Sequence, residues 1–327
     1  MCSQKTDPPG GCTRRPKAVR KIVIAVCTFN RADKLPRLIN ALRLQACPIP
    51  CEILVVNNNS TDDTATVVQE FAEVPGHPLR LVTETAQGIV NARNRAIEES
   101  LQNEFLAFID DDELPGQGWI NAAVDALSNE KADCVGGKII VDLSGFQRPK
   151  WLESELLNFL GKVDNGQWPF WIIDRTTPVW SGNVAYRTSV FSGGLRFDHR
   201  YNREGHAIGG GSDEIMFKAL LEQKARIRYR PDMAIFHLVE KQRLKKSYFI
   251  RLHYKAGWKE GRWQLPHYQG RTVLGVPLFL PVQALKHWLK TLKMAASKQS
   301  GDVRQAMTSA YVTGMISGRL QKWKQLR

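Results

Sequence analysis

The chain of 327 residues contains 43% hydrophobic and 24% charged residues, proportions that are typical of a globular protein, and it is long enough for a full α/β core with an appendage. Its formal net charge of +14 comes from residues 241–327, where 18 lysines and arginines stand against two acidic residues; residues 1–240 have a net charge of −2. No apolar run reaches the roughly eighteen residues that a membrane-spanning helix needs, and the six cysteines lack the paired spacing of a zinc site, so both of these features are excluded.

Residues 1–20 are rich in Pro, Gly, Lys and Arg and contain no apolar signal region, so we predict a disordered segment there. Cys27 and Cys134 lie within apolar runs, as expected of ordinary buried thiols. We therefore expect a protein of the reducing cytoplasm.

An alternation of strands and helices begins at Lys21. Apolar runs predict four strands, and an amphipathic helical pattern follows each of the first three. The predicted strands are Lys21–Cys27, Glu52–Val56, Leu79–Val82 and Leu106–Ile109. Because continuous apolar strands that alternate with helices are typical of parallel sheets, we predict a doubly wound α/β domain over residues 21–240.

Polar residues follow three of these strands, at Thr28–Arg31, Asn57–Asp62 and Asp110–Asp112. Since ligands bind beyond the carboxyl ends of parallel strands, we expect the three segments to line one site. Three adjacent aspartates need a compensating cation, and Mg²⁺ or Mn²⁺ suits carboxylate oxygens; a solvated acidic turn is the alternative. No glycine-rich phosphate loop is present, so a bound nucleotide would depend on side chains and a metal, with Arg93 supplying positive charge.

The second half of the domain is less regular. We predict one helix and four strands, at Trp119–Ser128, Asp133–Val141, Val179–Arg187, Arg226–Tyr229 and Ala234–His237. The stretch of residues 147–174 lacks clear periodicity and holds the aromatic residues Trp151, Trp168, Phe170 and Trp171. Such rings either stack on sugars or cover a site, or they pack this long irregular segment against the rest of the domain.

Two further residues are candidates for chemistry. Asp213 follows a run of glycines and opens a helix, so it is either a helix cap or a reactive acid. His237 ends an apolar run and is either a metal ligand or a hydrogen-bonded core histidine.

Taken in order, these segments resemble the GT-A fold of inverting family 2 glycosyltransferases, of the type that assembles bacterial surface polysaccharides. The resemblance covers roughly residues 20–240. It is carried by seven short segments in the family's order: Ala25–Arg31, Val55–Asp62, Gly88–Asn94, Phe108–Asp112, Ser181–Asn183, Gly211–Asp213 and Ala234–His237. It implies a GT-A nucleotide-diphospho-sugar transferase fold with a mostly parallel, doubly wound sheet, and sugar transfer with inversion at the anomeric carbon.

The resemblance also implies roles for single residues. Asp213 is then the general base, and Asp112 with His237 holds Mg²⁺ or Mn²⁺. The segment Asp110–Asp112 is the DxD element that binds the ribose and the metal-diphosphate, and Asn58 contacts the nucleotide base. The residues assigned to nucleotide-sugar binding are Thr28, Asn30, Arg31, Asn58, Arg93, Asp110 and Asp111.

Two positions depart from the family's pattern. Asn57 stands where Asp is common, which puts the contacts to the base in doubt. Ser212 replaces the usual Glu before Asp213, which puts the tuning of the general base in doubt. Glu214 is an alternative base, although one residue further along a helix points about 100° away.

Residues 241–327 differ in character from the rest. Val273–Leu285 is apolar but interrupted by two prolines, which suits an interfacial element better than a membrane span. Trp288 and Trp323 stand among basic residues, a combination favoured at lipid headgroups. We predict a basic, mainly helical, amphipathic region that holds the protein peripherally on the anionic inner face of the plasma membrane. The alternative is a solvated basic helical pair that packs on the catalytic domain.

From this resemblance we expect a nucleotide-sugar donor, UDP-linked, and a glycan or glycolipid acceptor. A nucleic-acid-binding protein would also explain the basic tail, but no zinc, RRM or helix-turn-helix signature accompanies it, so no nucleic acid partner is expected. A catalytically inactive carbohydrate-binding or scaffold protein would keep the same fold. The intact acids Asp110, Asp112 and Asp213 argue against that alternative.

Overall fold

The computed structural model describes residues 19–205, 207–266, 268–297 and 301–326. The segment predicted to be disordered, residues 1–20, lies outside the described residues except for Val19 and Arg20, which begin the first strand.

The first half of the domain alternates strands and helices as predicted. Its elements are β1 (Val19–Thr28), α1 (Leu35–Arg43), β2 (Cys51–Asn57), α2 (Thr64–Ala72), β3 (Leu79–Thr83), α3 (Ile89–Ser100) and β4 (Asn103–Ile109). The four strands are parallel, in the order β3-β2-β1-β4. Alternate residues of β1 enter two hydrophobic clusters: Ile22 and Ile24 pack with α1, whereas Val23 and Ala25 pack with α3. Helices therefore cover both faces of the sheet, which confirms the doubly wound arrangement.

The second half extends the same sheet. Its elements are β5 (Glu113–Pro115), α4 (Trp119–Ser128), β6 (Cys134–Asp142), β7 (Phe170–Ile172), β8 (Asn183–Arg187), α5 (Ser212–Glu222) and β9 (Ile227–Leu238). Beyond β4 the strand order is β8-β6-β9-β5, and β7 also pairs with β9. β8 is antiparallel to β4 and to β6, whereas β6 and β9 are parallel. The sheet is thus parallel in its first half and mixed in its second.

The strands predicted at residues 226–229 and 234–237 form one continuous strand, β9. The pairing of β9 with β6 shifts register between Gly137 and Ile139, which pair with Arg230 and Ile235. Pro231 falls inside this irregularity, where its missing N–H breaks no ladder hydrogen bond. The strand therefore continues past the proline and carries His237 to the carboxyl end of the sheet.

The C-terminal region is mainly helical, as predicted. Its elements are α6 (Lys246–Lys259), a π-helical continuation (Glu260–Gln264), the hairpin β10 (Thr272–Val273) and β11 (Val276–Pro277), α7 (Phe279–Ala296) and α8 (Asp302–Gln325). The apolar segment Val273–Leu285 is divided between the hairpin and the start of α7, with Pro281 in the first helical turn, where it is tolerated. Within the described residues, no helix is long and apolar enough to cross a membrane.

Helices α6 and α8 run parallel to each other in close contact. Hydrogen bonds join Tyr254 to Ser317 and Trp258 to Gln321, so the two helices advance in the same direction. A Cβ atom on Gly257 would lie only 2.0 Å from a backbone carbonyl oxygen of α8. Similar clashes, at 2.1–2.2 Å, would arise at Gly261, Gly314 and Gly318. Glycine at these positions is what allows the helices to approach.

The helical region packs directly on the sheet domain. Leu156 and Leu160 belong to a short 3₁₀ helix, Ser154–Leu160, and they form a hydrophobic cluster with Phe249 of α6 and Met307 of α8. This cluster places α6 beside the carboxyl end of the sheet.

Candidate functional site

A cavity of about 420 Å³ lies at the carboxyl ends of β1, β2 and β4. Eight residues predicted for the site line it: Thr28, Arg31, Asn58, Asp110, Asp111, Asp112, Asp213 and His237. The remaining two have other positions. Asn30 exchanges hydrogen bonds with Thr61 on the loop after β2, and Arg93 is buried against two of the lining acids.

The three aspartates after β4 point to three different partners. Asp110 accepts a hydrogen bond from Arg93 (Nη2–Oδ1, 3.2 Å), and Asp111 accepts one from the Thr28 hydroxyl (2.8 Å). Asp112 accepts one from Arg243 (Nη2–Oδ2, 3.0 Å), and His237 Nε2 lies 3.6 Å from the same oxygen. Each carboxylate thus has its own hydrogen-bond donor, so the segment is not the solvated acidic turn that the sequence left open.

Burial and mutual repulsion shift the pKa values of the acids in this segment by different amounts. Burial and the charge of Asp112 raise the pKa of Asp111 to about 7. Burial and the charges of Asp110 and Asp112 raise the pKa of Glu113 well above its ordinary value. Burial also disfavours the charged form of Asp112, but His237 and Arg243 outweigh it and lower the pKa of Asp112. Asp112 therefore carries a full negative charge at neutral pH.

Asp112 and His237 fit a divalent metal ion. The Nδ1 atom of His237 lies 2.7 Å from the carbonyl oxygen of Leu160, so we assign the ring proton to Nδ1, which leaves the ring's lone pair on Nε2, on the Asp112 side. One carboxylate and one imidazole suit Mg²⁺ or Mn²⁺ when other oxygen ligands complete the coordination. In the part of the chain that the structure describes, no group of three or more His, Cys, Asp or Glu side chains could hold a metal. A bound diphosphate would supply the missing oxygens.

Asp213 lies at the start of α5 but does not cap it. The helix is preceded by Gly211 (φ 111°), and no side chain caps its first turn. The Oδ1 atom of Asp213 instead accepts hydrogen bonds from Arg93 (Nη1, 2.7 Å) and from the Ser181 hydroxyl. Glu214 pairs with Lys218 at 2.5 Å on a more exposed side of the helix. The geometry therefore favours Asp213 over Glu214 as the acid that faces the cavity.

Arg93 connects the two acidic parts of the site. Its side chain, only 6% exposed, bonds to Asp110 through Nη2 and to Asp213 through Nη1. Burial disfavours its charge, but Asp213 and Asp110 raise the pKa of Arg93 above its ordinary value. The guanidinium thus fixes the carboxyl group after β4 relative to the one that opens α5.

The Asn58 side chain forms hydrogen bonds with backbone groups. Its Oδ1 atom accepts from the Gly88 amide (2.6 Å), and its Nδ2 atom donates to the carbonyl oxygens of Ala86 (2.9 Å) and Glu84 (3.2 Å). Asn57 accepts a bond from the Ser60 amide (3.0 Å) in the adjacent turn. Both asparagines therefore shape the loops around the cavity.

The aromatic residues between 147 and 174 mostly pack. The Trp151 ring lies 5.3 Å from that of Phe249, and the Phe170 ring lies 5.1 Å from that of Tyr229. Trp171 is contacted by the guanidinium groups of Arg226 and Arg228, at 4.7 and 4.9 Å. The structure thus supports the packing alternative for these three rings; Trp168 is 82% exposed.

Several residues that line or border the cavity were not identified from the sequence. Trp180 lines it, directly before the matched Ser181, and its position next to that motif was the available signal. Residues of the sheet domain such as Asn158, Phe159 and Arg203 also line it. Four more belong to the basic C-terminal region: Arg243, Tyr248 and Leu252 line the cavity, and Lys259 donates to the carbonyl oxygen of Gly210. Their charge and amphipathic pattern suggested a membrane, and nothing in local sequence indicated a cavity wall.

A family model described as glycosyl transferase family 2 matches residues 23–201, more than half of the chain. Among curated proteins, the chain is 23% identical to the succinoglycan biosynthesis protein ExoM of Rhizobium meliloti over 76% of each chain. It is 32% identical to the glycosyltransferase AglE of Haloferax volcanii over 119 residues, 36% of this chain and 39% of AglE. The match thus spans well under half of that relative.

Two solved structures share the fold at low identity. The mannosyltransferase PcManGT of Pyrobaculum calidifontis, in complex with GDP-Man and Mn²⁺, superposes with a TM-score of 0.60 at 18% identity, over 96% of this chain and 90% of that one. TarS residues 1–349 of S. aureus give a TM-score of 0.51 at 16% identity, over 94% and 92% of the two chains. These similarities support the predicted GT-A fold with its helical extension.

Proposed function

Because the chain belongs to glycosyl transferase family 2, we propose that it transfers a sugar from a nucleoside-diphosphate donor to a hydroxyl group of an acceptor, with inversion at the anomeric carbon. One observation carries this proposal. Arg93 joins Asp110, from the segment that would hold the donor, to Asp213, which would face the acceptor, within one cavity at the carboxyl ends of the strands.

The acceptor side of the reaction is assigned to Asp213. Its carboxylate would accept the proton of the acceptor hydroxyl as that oxygen attacks the anomeric carbon. Arg93 and Ser181 both bond to Oδ1, which fixes the orientation of the carboxyl group and leaves Oδ2 to serve as the base. A single displacement with one base inverts the anomeric configuration.

The donor side is assigned to the residues after β1 and β4. Asp110 and Asp111 would contact the ribose and the diphosphate, and Thr28 fixes the carboxyl group of Asp111. A metal ion, Mg²⁺ or Mn²⁺, held by Asp112 and His237, would stabilise negative charge on the nucleoside diphosphate. Asn58 would influence binding of the nucleotide base indirectly, because its hydrogen bonds fix the Glu84–Gly88 loop.

The donor is proposed to be UDP-linked. The structural neighbour PcManGT holds GDP-Man, and the neighbour GalNAc-T7, with a TM-score of 0.54, holds UDP and GalNAc with Mn²⁺. Both nucleotides therefore belong in the test.

The test is release of nucleoside diphosphate by the full chain with Mn²⁺ and a panel of UDP- and GDP-sugars. We expect slow hydrolysis of one donor without acceptor, and faster release when a suitable glycan is added. If no donor is hydrolysed or bound while the protein still binds glycans, the chain is an inactive carbohydrate-binding protein.

We propose further that residues 241–327 hold the enzyme on the anionic inner face of the plasma membrane, where it would meet a lipid-linked glycan. The support is an apolar stripe along α7. Its members recur at intervals of three and four residues and are 53–63% exposed: Val282, Leu285, Leu289 and Leu292. Exposed lysines follow three of them in sequence: Lys286, Lys290 and Lys293. An apolar stripe bordered by lysines suits the interface of an anionic bilayer.

A further inference from the structure

The guanidinium group of Arg243 lies between the two residues that fit a metal ion. Its Nη2 atom donates to Asp112 Oδ2 at 3.0 Å, and its Nη1 atom lies 3.1 Å from His237 Nε2. These are the two atoms that a divalent ion would use. The guanidinium thus acts as an internal cation that links the carboxylate to the imidazole.

Arg243 and a metal ion cannot occupy these atoms together. The Nδ1 proton of His237 is directed at the Leu160 carbonyl oxygen, which leaves a single lone pair, on Nε2. A lone pair that accepts a hydrogen bond from Arg243 is not available to a metal. A divalent ion would also repel a guanidinium group at this distance.

The backbone of Arg243 is held in place, whereas its side chain borders the cavity. Its amide nitrogen donates to the Glu240 carbonyl oxygen at 2.8 Å, and Glu240 is paired with Lys34 at 2.7 Å and with Arg31. Leu244, the next residue, is buried in the cluster beneath α6. The side chain itself is 22% exposed and lines the cavity. Rotation about its own bonds is therefore enough to take it off the pair.

We propose that Arg243 occupies the metal-binding pair in the donor-free enzyme and is exchanged for the metal when the nucleotide sugar binds. Once displaced, the guanidinium remains in the cavity and pairs with the diphosphate, whose geometry suits a planar fork of donors. The second half of this inference depends on the proposed function; the first half, competition between Arg243 and the metal, does not.

The experiment is calorimetric titration of the nucleotide-free full chain with Mn²⁺. Arg243→Gln and Arg243→Ala should bind Mn²⁺ at least about tenfold more tightly than the original chain, because apparent affinity rises with the fraction of protein in the competent state. Arg20→Gln is the matched control, since it removes the same charge from an exposed position at the opposite end of β1. Its Mn²⁺ affinity should be unchanged.

Titration with UDP or GDP in saturating Mn²⁺ should show the opposite effect on affinity. Loss of the charged hydrogen bonds should weaken nucleotide binding by Arg243→Gln by about tenfold or more. Adding His237→Gln to Arg243→Gln should abolish the gain in Mn²⁺ affinity. Thermal unfolding in EDTA should show that each variant is folded.

The inference is overturned if the Arg243 variants bind Mn²⁺ no more tightly than the original chain. It is also overturned if the gain survives His237→Gln, because the ion then binds elsewhere. If the exchange is observed but no donor is turned over, the proposed function fails and the competition stands.

Discussion

At the scale of single residues, the site is organised by two arginines that bind its acids. Arg93 connects Asp110 to Asp213, and Arg243 holds Asp112. Because the carboxyl group of Asp112 is buried, its charge would be strongly destabilised without a cation. The arrangement assigns separate tasks to acids that are close in sequence, and it makes the effects of single substitutions distinguishable.

Asp213→Asn should lower turnover by about 10²–10⁴-fold, the usual effect of removing a positioned base, while donor binding is preserved. The asparagine can still accept hydrogen bonds from Arg93 and Ser181, so the site should stay assembled. Initial rates and nucleotide affinity measure the two effects. Glu214→Gln, on the more exposed side of α5, is the matched control; if it lost turnover and Asp213→Asn did not, the base would be misassigned by one residue.

Asp112→Ala should remove the metal dependence of donor binding. In the original chain, EDTA should weaken nucleotide-sugar affinity, because Asp112 carries the full charge that a cation needs. In the variant, affinity should be low with or without Mn²⁺. Donor affinity in the original chain that did not respond to EDTA would contradict the metal assignment.

Lys259 provides a prediction about pH. Burial, with the charges of Arg203 and Lys255, lowers the pKa of Lys259 from 10.5 to about 8. Between about pH 8 and 10.5 the unfolded chain therefore binds more protons at this position than the folded chain does, so its contribution to stability rises with pH. The unfolding temperature of Lys259→Met, measured relative to that of the original chain, should therefore fall as the pH is raised from 7.5 to 9.5. A difference that stays constant over this range would show that Lys259 is not perturbed.

At the scale of elements, the sequence predicts the bounds of strands best where both faces of the strand are apolar. β1, β2 and β4 lie within three residues of their predicted bounds, because burial on both faces requires a continuous apolar run. α4 has the bounds that were predicted. The direction of β8 was not predictable in this way, because a strand's own residues do not say which neighbour it will join.

The C-terminal helices show what local pattern cannot supply. The parallel contact of α6 with α8 depends on glycines about sixty residues apart in the chain, and each glycine alone reads as a weak helix position. The role of α6 as a cavity wall follows only from that contact. Sequence reasoning therefore identified the acids of the site but not Arg243, Tyr248 or Leu252.

Gly257→Ala should destabilise the protein by about 1–3 kcal/mol, the usual effect of overpacking. Helix propensity alone predicts the opposite sign, a gain of up to about 1 kcal/mol, so the direction of the change identifies the contact. Gly193→Ala, where an added Cβ meets nothing within 4 Å, is the control. Denaturant unfolding measures both variants, and a more stable Gly257→Ala would contradict the close approach of α6 and α8.

At the scale of the whole molecule, charge is segregated along the chain. Residues 241–327 carry +16, whereas residues 1–240 together carry −2. Each Lys or Arg near an anionic surface contributes about 1 kcal/mol, so a few contacts would localise the protein. The α7 stripe would add a component that salt does not screen.

The full chain should sediment with anionic lipid vesicles and be released only in part by high salt. Leu285→Gln combined with Leu289→Gln should remove the salt-resistant part. Leu44→Gln, at an 85% exposed position after α1, is the control. If the full chain stays in the supernatant at low salt, the helical region is not a membrane anchor. If the double variant changes self-association instead, the stripe joins two copies of the chain.

Truncation near residue 245 is a poor substitute for these variants. It would remove α6 and α8 and expose Leu156 and Leu160, which pack against Phe249 and Met307. Loss of membrane binding would then be confounded with loss of folding.

The parallel pairing of α6 with α8 has a consequence for biosynthesis. The sheet domain emerges from the ribosome before the helical region and can fold while synthesis continues. α6 follows, but the surface against which its glycines fit belongs to residues 302–325, which are translated about fifty residues later. Until α8 has emerged, the wall formed by Tyr248 and Leu252 lacks its support. A nascent chain should therefore complete this cavity only after residues 302–325 have emerged, when α7 has also been translated.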